Sequence, residues 1–263
     1  MTSSPPRPAN VLHTRVELHF HLLPGVDDGP RTLDESLMLA RMALEDGTAF
    51  VVCTPHVECV DVGSLPDRVH EVQRALREAG VALQIAAGGE IRAGTQQSDR
   101  DLEILAHGPP GRRWVLLEAP LEPDMLASFH EHADELEARG YGLLVGHPER
   151  CAPLLDPAGG LDRRLRRGAK LQVNASSLTG AHGLTARSAG FGLLARGMVA
   201  VVASDAHGSH RPPLLRPAAR LLSARAASAD ALTMHEPRRL LSRGFGEPGR
   251  VAATLTGWHA RSG

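Results

Sequence analysis

The chain has 263 residues, 42% hydrophobic and 22% charged, a composition that suits one large water-soluble α/β domain with a substantial core. Its formal charge of −1 excludes a global pull toward nucleic acid or anionic membrane, and its three cysteines exclude a disulfide framework. Aromatic residues make up only 3%, so the core must rest on Leu, Val and Ala.

Residues 1–13 are rich in Pro and polar side chains and lack the apolar segment of a secretory signal; they read as a disordered leader before a single domain over residues 14–263. The first apolar run, Val16-Glu17-Leu18, ends in His19-Phe20-His21. After the turn Asp27-Asp28-Gly29, Thr32-Leu33-Asp34-Glu35 forms a capping box. It opens a helix that carries Leu33, Leu37, Ala40 and Leu44 and stops at Gly47. A second run, Ala49-Phe50-Val51-Val52-Cys53, ends in Thr54-Pro55-His56, and residues 65–79 have helical spacing. The third run reaches Glu90 through Gly88-Gly89. A loop over residues 108–113 leads into the fourth, Trp114-Val115-Leu116-Leu117, which ends in Glu118. A helix over residues 124–139 places Met125, Phe129, Ala133 and Leu136 on one face. The fifth run, Leu143-Leu144-Val145, ends in Gly146-His147-Pro148-Glu149-Arg150, the sixth in Gln172-Val173-Asn174 and the seventh in Ser204-Asp205-Ala206-His207. Residues 212–227 and 230–243 close the chain as two helices.

Strand and helix alternating about seven times imply a parallel sheet with right-handed crossovers. Polar clusters follow every strand rather than one switch point, so a closed or nearly closed barrel fits better than an open sheet. Barrel enzymes carry their chemistry at the C-terminal ends of the strands. The seven endings therefore converge on one site.

Residues two apart on a strand share a face, so His19 and His21 can reach one ion. The carboxylates of Asp28, Glu90, Glu118 and Asp205 and the imidazoles of His56, His147 and His207 supply more ligands than one ion needs. Taken singly, each is an ordinary solvated residue; their recurrence at seven strand ends is what that reading leaves unexplained. Nitrogen and oxygen donors without thiolate suit Mn²⁺, Fe or Zn²⁺. None of Cys53, Cys59 and Cys151 has an arginine six residues on, so no Cys-x5-Arg phosphatase loop exists, and no phosphate-cradling glycine loop for nucleotides is present.

The segment from His19 to Gly29 resembles the first motif of the bacterial metal-dependent protein-tyrosine phosphatases of the polymerase-and-histidinol-phosphatase (PHP) superfamily. These enzymes are paired with capsule and exopolysaccharide tyrosine kinases. Thr54-Pro55-His56, Gly89-Glu90, Leu117-Glu118-Ala119-Pro120, the His147 to Arg150 segment, the Gln172 to Leu178 segment and Ser204-Asp205-Ala206-His207 follow in that family's order, from about Val16 to Leu241. The resemblance implies a distorted (β/α)7 PHP-type barrel holding three divalent ions. Mn²⁺ is favoured, with Fe, Zn²⁺ or Mg²⁺ as alternatives. It assigns His19, His21, Glu90 and Asp205 to one ion and Glu90, Glu118 and His147 to a second. Asp28, His56 and His207 go to a third, and Arg150 and Arg211 to the phosphate. Hydroxide formed from water shared by the ions would attack phosphorus in line. The implied substrate is phosphotyrosine on a protein, specifically a bacterial tyrosine kinase tail. The alternatives are a small phosphomonoester such as histidinol phosphate, or a metal-bound protein that binds a phosphorylated partner without turnover.

Glu17 stands where the family commonly has Asp and alternates with His19 and His21, so it can face the ligands or be a tolerated substitution. Val57 and Cys151 replace a frequent His and a frequent aromatic and can reshape the mouth. Asn174 can orient a ligand or cap a turn, with the cap favoured. His210 neighbours Arg211 and is a candidate substrate contact. His70, His107, His130, His132, His182, His235 and His259 default to the surface. No apolar stretch reaches bilayer-spanning length, so the expectation is a cytoplasmic protein that does not insert into a membrane and binds no nucleic acid.

Overall fold

The computed structural model describes residues 14–225 and 227–245; the expected leader lies outside the described residues. Eight parallel strands run in chain order: β1 (Arg15–Glu17), β2 (Thr48–Cys53), β3 (Gln84–Ala87), β4 (Glu90–Ile91), β5 (Trp114–Glu118), β6 (Gly142–Gly146), β7 (Lys170–Asn174) and β8 (Val199–Ala203). They pair as a three-stranded sheet, β1-β2-β3, and a five-stranded sheet, β4-β5-β6-β7-β8. Single parallel bridges, His56 to Glu90 and Phe20 to Ala206, join the two sheets at both seams. The result is the expected distorted barrel of seven strand positions, with the third position broken between β3 and β4.

The break is steric. A Cβ on Gly88 would sit 2.6 Å from Val52 Cγ1 and 2.7 Å from His107 Nε2, closer than packed atoms approach. The bare backbone bends into β2, and Glu90 restarts pairing one strand over, in register with Leu116.

The helices on the outside are α1 (Leu33–Glu45), α2 (Leu65–Glu78), α3 (Asp99–Leu105), α4 (Leu126–Ala138), α5 (Ala152–Leu155), α6 (Leu161–Arg166), α7 (Ala175–Thr179), α8 (Gly183–Ala195), α9 (Leu215–Ser223) and α10 (Glu236–Arg243). Thr32 caps α1 through Glu35 N–H, but the Glu35 carboxylate accepts from Arg31 N–H rather than closing the reciprocal box. The full capping box sits instead at Ser98 and Asp101, opening α3. The helix expected over 212–227 contracts to α9, and the one expected over 230–243 begins as a π-turn over Ala231–His235 before α10.

Two apolar clusters separate inside from outside. Val16, Leu18, Val52, Trp114, Leu116, Leu144, Val201 and Ala203 fill the barrel, closed at the bottom by Leu240 and Phe245. The alternate residues, Val51, Val115, Leu117, Leu143, Val145, Leu171, Val173 and Val202, belong to the larger cluster under the helices. Trp114 anchors the bottom closure by donating from its indole N–H to Leu240 O over 3.0 Å. Buried apolar side chains thus occupy the strands up to their C-terminal ends, where the polar groups begin.

Candidate metal centre

β1 stops at Glu17, and the chain bends through Leu18 and His19 before bridging again at Phe20. The bend breaks the alternation expected of a straight strand. Glu17 points away from the ligands: its carboxylate accepts from Ser204 N–H (2.8 Å) and from the Ser204 hydroxyl, and burial pushes it up to about 8. Glu17 therefore ties the first strand to the last, while His19 and His21 turn inward together.

The tautomers of these imidazoles follow from their partners. His19 Nδ1–H donates to Gln172 Oε1 (2.9 Å), because an amide oxygen only accepts. His21 Nδ1–H donates to Asp27 Oδ2 (2.7 Å), and His207 Nδ1–H to Asp205 O (2.9 Å). In its neutral form each ring is left with an Nε2 lone pair. Those of His19 and His21 lie 3.4 Å apart, and each lies within 3.1–3.3 Å of Glu90 Oε2. His207 Nε2 is buried without an aligned hydrogen bond, 3.0 Å from Asp28 Oδ1. Lone pairs facing lone pairs and carboxylates repel unless protons or a cation lie among them.

Three overlapping groups have ligand atoms all within 4.8 Å of one another: His21, Asp28, His56 and His207; His19, Glu90 and His147; His19, His21 and Asp205. Glu118 lies beside the second group, its Oε1 3.8 Å from His147 Nε2. All nine sequence-expected ligands therefore come together, and this donor set fits divalent ions that take nitrogen and oxygen.

Without an ion the same geometry perturbs the protons. Burial alone would lower His19 and His21, but Glu90 with Asp205, and Asp27 with Glu90, outweigh it and raise the two rings to about 9 and 10. Burial and the neighbouring Glu90 charge push Glu118 up to about 8. Glu90 and Asp205 stay well below the usual carboxylate range, because the imidazoles around them outweigh burial. A hydrogen bond and charge from His207 lower Asp28. The cluster has the character of a negative pocket that binds positive charge.

Both expected arginines border this pocket. Arg211 donates from Nη2 to Asp205 Oδ2 (2.7 Å) and lies 3.5 Å from Asp28; Arg150 lies 3.7 Å from Asp205 Oδ2. Asn174 corrects the favoured expectation. It makes no capping bond to α7; instead its Nδ2 donates to Asp205 Oδ2 (2.6 Å) while its Oδ1 accepts from Gln172 Nε2 (2.8 Å). Gln172, Asn174 and Asp27 thus form a supporting layer, of which sequence reasoning had named only Asn174, as the less favoured alternative. For β7 the signal was present: Gln172 and Asn174 are two polar side chains alternating with apolar Leu171 and Val173. Glu149 accepts from Asn174 N–H (3.0 Å) and Ser177 Oγ (2.6 Å), fixing the segment between His147 and Arg150.

Among the described residues only His147 and Asp205 depart from negative φ without being glycine, at 36° and 51°. Both belong to the expected ligand set, which places backbone strain at the cluster itself. Val57 and Cys151 are buried in the core rather than at the mouth. Surface placement holds for His70 and His235 but fails for His132, which is buried against Gln97; His107, His130 and His182 are half-buried, and His259 lies outside the described residues. His210 is exposed and lines the cleft beside His207.

Residues 15–242 match the family model for capsular polysaccharide synthesis, CpsB/CapC. CapC of Staphylococcus aureus is 28% identical over 76% of this chain and 80% of its own. The tyrosine-protein phosphatase YwqE of Bacillus subtilis is 26% identical over 73% and 77%. A solved structure described with YwqE and Streptococcus pneumoniae CpsB as metal-dependent tyrosine phosphatases superposes with a TM-score of 0.75, at 24% identity, over 89% of this chain and 98% of that one. A lactonase from Listeria monocytogenes shares the barrel at a TM-score of 0.55 and 13% identity, over 90% and 96%.

Proposed function

The chain belongs to the CpsB/CapC family, and we propose that it is a metal-dependent phosphatase that hydrolyses phosphotyrosine on protein, its partner being the tail of a tyrosine kinase of polysaccharide export in the cytoplasm. The observation that carries this reading is the convergence of three nitrogen–oxygen ligand groups beside two arginines at one end of the barrel. No helix among the described residues is long and apolar enough to cross a membrane.

In this reading His19, His21, Glu90 and Asp205 hold one ion; Glu90, Glu118 and His147 a second; Asp28, His56 and His207 a third, with Mn²⁺ the preferred occupant. Bound divalent ions supply Lewis acidity, lowering the pKa of water toward neutrality and offsetting charge that develops on phosphate. Arg150 and Arg211 present planar forks to the phosphoryl oxygens, which a single ammonium cannot grip in two places. Asp205 and Asp28 hold Arg211 in place before substrate arrives. Gln172, Asn174 and Asp27 fix the ligand tautomers and orientations. Phenolate, with a parent pKa of about 10, leaves with only modest need of an acid.

The test is phosphate release from a phosphotyrosine peptide and from histidinol phosphate, with Mn²⁺ and after chelation, beside His21→Ala. Metal-dependent turnover of the peptide that the variant loses is the expected result. Turnover of the metabolite alone would replace this reading with a small-molecule phosphatase.

A further inference from the structure

His182 immediately precedes α8, in the connection that leaves the end of β7 through α7, so it stands on the face that carries the ligands. α8 lies close against that region: a Cβ on Gly190 would meet Leu178, Val173 and Glu149 at 3.1, 3.3 and 3.7 Å. The charges that act most on His182 are those of Arg150, Asp205, Arg211 and His147, all of them groups of the site. Its hydrogen bonds among the described residues go to Ser176 and Ser177, and none goes to an expected ligand. It therefore sits at the phosphate end of the site without belonging to the ligand cluster.

The tautomer of His182 follows from a chain of donors. Glu149 Oε1 accepts from Asn174 N–H at 3.0 Å and from the Ser177 hydroxyl at 2.6 Å. That uses the only proton Ser177 has, so the Ser177 lone pair receives His182 Nδ1–H at 3.0 Å, with Ser176 Oγ at 3.5 Å. Neutral His182 keeps an Nε2 lone pair, which has no partner among the described residues and is reachable by solvent. The ring is thus fixed at one nitrogen by buried Ser177 and Glu149 and free at the other. Burial, then the Arg150 charge, lowers it to about 4, so the empty site keeps it neutral. A phosphate dianion held by the two arginines reverses that field, and the imidazole takes up a proton from solvent as the dianion binds.

Resting on the phosphatase reading, we propose that His182, anchored through Ser177 to Glu149 beside the phosphate arginines, is the proton donor to the departing tyrosine oxygen. In-line attack places the leaving oxygen on the side of the phosphoryl group away from the ligand cluster. Hydroxide bonds to phosphorus as the bond from phosphorus to the phenolic oxygen breaks. The bonding pair goes to that oxygen, which takes the Nε2 proton. Tyrosine leaves as the neutral phenol and phosphate as hydrogen phosphate. The imidazole returns to its neutral form, with the Nε2 lone pair open for the next proton.

A phosphotyrosine peptide and p-nitrophenyl phosphate separate this role from a structural one, because p-nitrophenolate is a weak enough base to leave unprotonated. His182→Ala should cut kcat on the peptide about a hundredfold, the low end for a general acid, and leave p-nitrophenyl phosphate nearly unchanged. His182→Gln, which keeps much of the side chain's bulk and an amide to bond Ser177, should show the same split and so exclude a packing defect. Independently of turnover, ¹⁵N NMR of the Mg²⁺-loaded protein should find His182 neutral alone and protonated at Nε2 at saturating inorganic phosphate. Equal losses on both substrates, or an imidazole that stays neutral at saturating phosphate, overturn the proposal while leaving the phosphatase reading intact. No turnover of either substrate by the wild type overturns both.

Discussion

Replacing Asn174 with alanine removes the amide that donates to Asp205 Oδ2 over 2.6 Å and leaves Gln172 Nε2 without its acceptor. Asp205 Oδ2 then keeps only its contacts to Arg211 at 2.7 Å and Arg150 at 3.7 Å. The carboxylate is drawn toward the arginines, and Oδ1, 3.4 Å from His19 Nε2, leaves the ligand group. A hydrogen bond to a charged group is worth about 1.5–3 kcal/mol. Loss of an outer partner of a metal ligand typically costs about 10–100-fold in affinity, or about 1.4–2.7 kcal/mol, so two independent estimates agree. Titration of metal-free protein with Mn²⁺, followed by calorimetry, should show that drop, and the Mn²⁺ concentration for half-maximal activity should rise in step. Asn174→Asp, which sets a like charge beside Asp205, should lose more than Asn174→Ala. Unchanged Mn²⁺ affinity in Asn174→Ala, or weaker loss in Asn174→Asp, would refute the supporting role of β7.

Burial lowers His107 to about 4, and its Nε2 has no partner. The unfolded chain therefore takes up that proton first, near pH 6.5. The folded state loses stability as pH falls from 6.5 to 4, by about 3 kcal/mol at most, and nothing further below 4. His107→Gln should remove this slope; urea midpoints of the two proteins that stay parallel between pH 6.5 and 4 would refute it. Gly88→Ala forces a methyl against Val52 and His107, for an expected cost of about 1–3 kcal/mol in urea unfolding. A loss below about 0.5 kcal/mol would show that the strand break is not steric.

The expected ligands were legible because all but Asp28 stand at the end of a locally readable apolar run, and parallel strands in a barrel bring such endings together whatever the helices between them do. What stayed hidden depended on departures from regular geometry. Alternation places Glu17 beside His19, but the bend at Leu18 and His19 rotates them apart, and no pattern in three residues announces that bend. The split of the third strand was marked by Gly88-Gly89, yet only the proximity of Val52 and His107, far apart in sequence, makes those glycines necessary. Asn174 precedes a short helix and so has the local signature of a cap; its partner Asp205 is 31 residues away. The capping boxes show the same limit: Thr32 and Ser98 both carry the signature, and only Ser98 closes it.

The strain and the polar burial at the barrel mouth have a common origin. His147 and Asp205 adopt positive φ, the neutral forms of His19 and His21 turn lone pairs toward one another, and Glu90 is buried among four imidazoles. Each feature costs stability by itself. They persist because the surroundings over-determine them. Glu149 pins the chain after His147 through Asn174 N–H and Ser177, and Glu17 pins Ser204 just before Asp205. Both anchoring carboxylates are themselves pushed up by burial, to about 7 and about 8, so near neutral pH each anchors with less than a full buried charge. The seven-position barrel below supplies the apolar burial that offsets these costs. Positive charge entering among the ligands relieves the repulsion that the fold has assembled there, which is why the same residues that weaken the fold make the site selective for cations.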